Sequence, residues 1–172
     1  MTALLPLLGL LALPAGAPAH PGAVPGAPRI GDPAPALALP TLAGVVFERA
    51  QLVGQVTVVE FFATWCAPCK RSLDDLRALR RELGPGLAVV IVAVESEPGA
   101  IAAGFAAEPP PVGAIVVRDA TGETARRWGQ DRLPTSFFLD RAAVVRHINR
   151  GHGSGFHARA ARWLQGLLAP AR

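Results

Sequence analysis

Only two cysteines occur in 172 residues, so the third and fourth that a cysteine-built zinc site would need are missing. The histidines do not fill that gap. His147, His152 and His157 recur every five residues, a spacing that a helix scatters over different faces, and Gly151, Gly153 and Gly155 mark part of the stretch as loop; His20 stands alone. Aromatic residues make up just 6% of the chain. Seventeen basic residues, sixteen of them arginine, oppose thirteen acids to give a net charge of +4, yet no basic run exceeds two residues. A nucleic-acid surface would cluster its cations beside aromatics, so no nucleic-acid partner is expected. A long hydrophobic run is also lacking. The stretch Leu4 to Leu13 is interrupted by Pro6 and Gly9, is followed by Pro14, and is too short to read as a membrane span.

That stretch reads instead as the core of a signal peptide over residues 1–19. Ala17-Pro18-Ala19 offers a small-x-small cleavage site before His20, although no Lys or Arg precedes the apolar core. The alternatives are an uncleaved anchor and a misjudged start or cytoplasmic apolar tail. The signal and anchor readings put the folded part in the periplasm or another extracytoplasmic space, soluble or N-terminally anchored. Residues 20–35, rich in Pro, Gly and Ala, read as a linker.

The informative feature is Cys66-Ala67-Pro68-Cys69, which follows Trp65 between a β-like apolar run and a helix-like segment. Positions i and i+3 share a helix face, so the two sulfurs can reach bonding distance. Unpaired N–H groups at a helix start favour the thiolate, and Pro68 in the first turn loses no hydrogen bond. This is the chemistry of reversible dithiol–disulfide exchange, with metal binding or an inert structural disulfide as the competing readings. Cys66, nearer the helix start and more exposed, is expected to attack, and Cys69, one turn inside, to resolve the mixed disulfide. Lys70 and Arg71 could add to the stabilisation of a thiolate.

Around the motif the elements alternate. Leu37 to Leu39 and Val45 to Phe47 flank Thr41–Gly44 as a hairpin, and Glu48 to Leu52 reads as a short helical turn. Val56 to Phe62 is nearly continuous apolar sequence, the mark of a central strand buried on both faces. The segment Cys66 to Leu83 places Leu73, Leu76, Leu79 and Leu83 on a helical stripe that stops at Gly84-Pro85-Gly86. Further strands are expected at 87–94, 115–117, 136–139 and 143–148, and helices at 100–107, 123–128 and 156–168. The order implies an α/β fold with a mixed sheet between helices.

Glu60 is the anomaly in the central strand. A lone carboxylate among Val58, Val59, Phe61 and Phe62 should have its pKa raised toward neutrality, which suits it to take the proton from Cys69 as that thiol attacks. The bland alternative is a kinked or edge position where Glu60 reaches solvent. Pro134, ahead of the strand at 136–139, either ends a turn or forms a cis bond with Leu133 that would free the Leu133 backbone to pair with a substrate strand. Trp65 either packs as an ordinary aromatic or covers the disulfide and meets partner proteins.

Phe61-Phe-Ala-Thr-Trp65-Cys66-Ala-Pro-Cys69-Lys70, together with Leu133-Pro134-Thr135-Ser-Phe-Phe-Leu-Asp140, resembles the thioredoxin superfamily, and more narrowly its exported TlpA/ResA-type thiol–disulfide oxidoreductases. The resemblance extends over about residues 30 to 168. It implies a thioredoxin-like three-layer α/β/α sandwich over 36–170, with a mixed central sheet, an N-terminal hairpin and a central insertion. It also implies Cys66 as nucleophile, Cys69 as resolving thiol, Pro134 as a cis proline, and Glu60 at a position where thioredoxins carry a buried carboxylate. Such proteins mostly reduce protein disulfides and are recharged by a membrane electron donor, with no organic cofactor or metal. The chain departs from the pattern at Asp74, where a helix-kinking proline is common, at Ser72, where the subgroup often has Glu, and at Thr135, where dedicated cytochrome c maturation relatives have Glu. A second class is a thioredoxin-fold copper metallochaperone using both thiolates and a histidine, although such proteins usually space the cysteines one residue further apart. A peroxidase of related fold needs a Thr-x-x-Cys arrangement that Thr64 does not provide.

Overall fold

The computed structural model describes residues 26–95 and 97–170. The expected signal peptide and residues 20–25 of the expected linker lie outside that range.

A five-stranded sheet organises the chain. Its strands are β3 (Val56–Phe62), β4 (Leu87–Ala93), β5 (Ile115–Arg118), β6 (Thr135–Leu139) and β7 (Val145–Arg150), in the order β5-β4-β3-β6-β7. The first three run parallel; β6 is antiparallel to β3, and β7 to β6. Every residue of β3 is buried, as its central place between β4 and β6 demands. Alternation then sorts its side chains. Val56, Val58 and Phe62 face a core shared with α1 (Ala67–Leu83) and α4 (Phe156–Leu168), while Val59 and Phe61 face a second core on the other side.

That second core is closed by α3 (Glu123–Arg127) and by the hairpin of β1 (Ala38–Pro40) and β2 (Val46–Glu48). At its centre Trp128, Phe61 and Phe137 pack at ring separations of 5.0–5.9 Å, tilted or edge-to-face, an arrangement favoured by the ring quadrupoles. The result is the expected α/β/α sandwich with its mixed sheet and N-terminal hairpin.

Three of the boundaries that differ from the sequence reading have a structural cause. Residues 31–35, expected as the end of a linker, are tied to the turn before β7: Gly31 N donates to Val145 O and Ala34 N to Ala143 O, both at 2.8 Å, and Ala34 is buried. Backbone pairing anchors them despite their loop-like composition. Strand β7 begins at Val145 and not at Ala143, because Ala143 is a turn residue with φ of 56°. The Asp140 carboxylate builds that turn by accepting from the N–H groups of Ala142 and Val144. Finally, α2 (Pro98–Ala107) starts two residues before the expected Ala100, using Pro98 in its first turn.

Helix α2 covers the ends of β3 and β4. Its Phe105 stacks on Phe62 at 5.2 Å, and Ile101 is fully buried. Gly104 makes this approach possible: a Cβ there would fall on Cγ2 of Thr64 and within 2.8 Å of Thr64 Cβ. Thr64 has little room to yield, since its hydroxyl donates to Glu95 Oε1 at 2.6 Å and its N–H to Glu95 Oε2 at 3.1 Å. Gly104→Ala should therefore lower stability in urea unfolding by about 1–3 kcal/mol. Wild-type stability in that variant would mean that α2 shifts freely and does not brace the segment ahead of the cysteines.

Candidate active site

The strand-to-helix junction at the end of β3 holds Cys66 and Cys69, joined by a disulfide with Cα atoms 5.2 Å apart. Cys66 is the N-cap residue of α1, with extended backbone. Its carbonyl accepts from Cys69 N at 2.9 Å, and its Sγ lies 3.3 Å from the same N–H. Sulfur thus occupies the place where a capping oxygen usually sits, facing the positive end of a 17-residue helix. A thiolate released there by reduction is stabilised by that N–H and by the helix field. Both residues are buried, Cys66 at 5% exposure and Cys69 at 0%, so Cys66 is the slightly more open of the two.

Glu60 is fully buried and faces the α1 side of the sheet, interrupting the apolar row of Val56, Val58 and Phe62. Its Oε2 accepts from Ser72 Oγ at 2.7 Å and from Ser136 Oγ at 2.9 Å. Ser136 is its direct partner on β6, and Ser72 lies one helical turn beyond Cys69 on the same face. Oε1 has no partner among the described residues. Burial pushes the Glu60 carboxyl up to about 7, the two hydroxyls oppose this, and the negative charge of Asp75 adds to it. The carboxyl therefore changes charge near neutral pH beside the helix that carries Cys69. The edge or kinked alternative for Glu60 does not apply.

The other expected site residues fall as follows. The Leu133–Pro134 bond is cis. Pro134 is buried and its carbonyl accepts from Gly151 N at 2.7 Å, while the Leu133 N–H and C=O have no backbone partner among the described residues. Trp65 is 71% exposed, so its ring stands in solvent rather than packing into a core. The Lys70 ammonium pairs with Glu108 at 3.2 Å, and Arg71 lines a cleft with Asp75. The histidines are engaged elsewhere: His147 stacks on Trp163 at 4.6 Å, and His152 and His157 both turn to Asp75. Sequence reasoning missed Ser136, Glu95 and Asp75. Glu95 had a readable signal, a carboxylate just past the C-terminal end of a parallel strand, where α/β sheets place their sites.

The Glu60 shift carries a sign for stability. The folded carboxyl, at about 7, binds its proton more tightly than the unfolded one near 4.5, so its contribution is fully present below 4.5 and lost as pH rises through 7. Glu60→Gln mimics the protonated form at every pH. In the oxidised protein its stability relative to wild type should rise by about 3 kcal/mol between pH 4 and pH 8.5, read by urea unfolding. A pH-independent difference would mean that the buried carboxyl titrates normally.

Residues 30–148 match the family described as AhpC/TSA. A DsbE homolog, a thiol:disulfide interchange protein of Paracoccus denitrificans, is 32% identical over 133 residues, covering 76% of this chain and 71% of that protein. The thiol-disulfide oxidoreductase ResA of Bacillus thuringiensis is 29% identical over 120 residues, or 68% of this chain and 67% of that protein. Among solved structures, a thiol:disulfide interchange protein of the thioredoxin family from Chlorobium tepidum is similar at a TM-score of 0.65 and 28% identity, over 83% of this chain and all of that one. With its mixed sheet and its cysteine pair at the junction of β3 and α1, the chain belongs to the AhpC/TSA family and carries that family's thioredoxin-like fold.

Proposed function

We propose that this thiol–disulfide oxidoreductase works outside the cytoplasm as a reductase of protein disulfides, recharged by a membrane electron donor. The observation that carries the reading is the pairing of a sulfur at the N-cap of α1 with a fully buried, near-neutral carboxyl on β3 that accepts from Ser72 of the same helix. The first favours a thiolate at Cys66; the second supplies a proton acceptor for Cys69. The names borne by the DsbE and ResA relatives support the same chemistry.

In the cycle, the Cys66 thiolate attacks one sulfur of a substrate disulfide. A Cys66–substrate S–S bond forms, the substrate's own S–S bond breaks, and its other sulfur leaves as a thiolate. Glu60 then takes the proton of the Cys69 thiol, and Cys69 attacks Cys66 Sγ. The Cys66–Cys69 bond forms and the second substrate sulfur leaves. The substrate has gained two electrons and the protein has lost two, which the donor restores. Exposed Trp65 and the unpaired Leu133 backbone beside cis Pro134 offer an apolar contact and a strand-pairing edge to an extended substrate segment.

Removing the resolving thiol should stall the cycle halfway. Cys69→Ser should accumulate a mixed disulfide with a model disulfide protein, visible on a non-reducing gel, while Cys66→Ser forms none. For direction, the equilibrium potential of the pair against glutathione should lie nearer the roughly −270 mV of thioredoxin than the roughly −120 mV of DsbA. A value at the oxidising end would make the protein an oxidant and overturn the reductase reading.

A further inference from the structure

Glu60 is sealed from solvent, and among the described residues it accepts hydrogen bonds from two hydroxyls. The charge that acts on it among the described residues is that of Asp75. Cys69, Ser72 and Asp75 fall at i, i+3 and i+6 of α1, so they form one ridge running from the disulfide past the Glu60 carboxyl. Unlike Glu60, Asp75 is partly open, at the wall of a cleft of about 450 Å³ between α1 and the start of α4, lined also by Arg71, His152, Phe156 and His157.

Asp75 is tightly held in that wall. His152 Nε2 lies 2.8 Å from its Oδ2, and His157 Nδ1 lies 3.5 Å from its Oδ1. The two imidazoles are not equivalent. His157 is the more exposed, and its Nε2 also lies 3.2 Å from Glu82 Oε1, so its ring faces a second acid as well. His152 is 88% buried by its side chain, packs its ring against Phe156 at 5.3 Å, and has Asp75 as its acidic partner. Arg71, on the same helix, is exposed and screened by water. Glu60 itself is faced by Ser72 from α1, Ser136 from β6 and the apolar Ile91 from β4.

We propose that Asp75 and His152 form a control pair that sets how firmly Glu60 keeps its proton, and so act as positioning residues for the Cys69 step without touching either sulfur. When His152 is neutral, it does not offset the Asp75 charge, which lies one turn from Ser72 and holds the proton on Glu60. When His152 is protonated the pair is neutral, and Glu60 is freer to ionise and accept the Cys69 proton. Imidazole suits this task because its charge changes in the physiological range. The cleft gives the pair access to solvent protons that Glu60 lacks.

This inference rests on Glu60 being the proton acceptor, so its test avoids catalysis. The ¹³C signal of the Glu60 side-chain carboxyl is titrated by NMR in the oxidised full chain, where no thiol ionises and no substrate is needed. Asp75→Asn removes the negative charge and should move the Glu60 midpoint down by about half a pH unit or more. His152→Gln removes the ring that can carry a compensating proton while keeping an amide donor toward Asp75, and should move the midpoint up. Opposite shifts are the signature, because loosening of the α1–α4 junction would move both variants the same way. A midpoint unmoved by either substitution, or moved in one direction by both, overturns the proposal. If the shifts occur but Glu60→Gln exchanges disulfides at the wild-type rate, the control pair stands and the acceptor role of Glu60 falls. If the shifts are absent but Glu60→Gln slows the Cys69 step, the reverse holds.

Discussion

The Glu60 carboxyl, hydrogen-bonded at once to helix α1 and strand β6, is the constraint on which the rest of the site depends. A carboxyl withdrawn from water without a cation is costly, and two hydroxyl donors offset only part of that cost. The remainder appears as proton affinity, which is what a base for a buried thiol needs. Ser72 approaches from the helix and Ser136 from the neighbouring strand, so the carboxyl ties the helix that carries Cys69 to the sheet beneath it. Any drift of α1 along β3 would leave a buried acceptor short of a donor. With the carboxyl arriving from the strand, a small hydroxyl residue is what the opposing helix position can accommodate.

A second brace holds the segment just ahead of the cysteines. The Glu95 carboxylate reaches from the end of β4 to both the N–H and the hydroxyl of Thr64, and α2 closes over that residue at Gly104. The strand end, the Thr64 loop and the helix cap are therefore fixed by contacts from β4 and α2, elements distant in sequence. Cys66 can serve as a cap only if the chain enters α1 with extended backbone, and this scaffold enforces that entry.

Much of the fold was legible because its signals are local. The unbroken apolar run of β3, the leucine stripe of α1 and the Gly84-Pro85-Gly86 stop each depend on a few adjacent residues. Glu60 was legible for a related reason: a carboxylate inside a buried strand is conspicuous wherever the chain later folds. Asp75 and Ser136 were not, because each is ordinary in its own segment and acquires meaning only when a distant partner arrives. His152 meets Asp75 across 77 positions and Ser136 meets Glu60 across 76, separations that no local pattern encodes. Residues 31–35 failed for the complementary reason. Their composition is that of a loop, and only backbone pairing with the β7 turn gives them a place.

The three tryptophans occupy three different surroundings in a chain with no tyrosine. Trp128 is sealed in the second core, Trp163 lies flat against His147, and Trp65 stands in solvent as the covalent neighbour of Cys66. Disulfides quench indole emission at short range. The red-edge fluorescence of the exposed ring should thus brighten when the neighbouring S–S bond opens, while the blue emission of the sealed indole stays constant as an internal standard. The molecule carries its own optical gauge of oxidation state, readable without a label or a coupled assay.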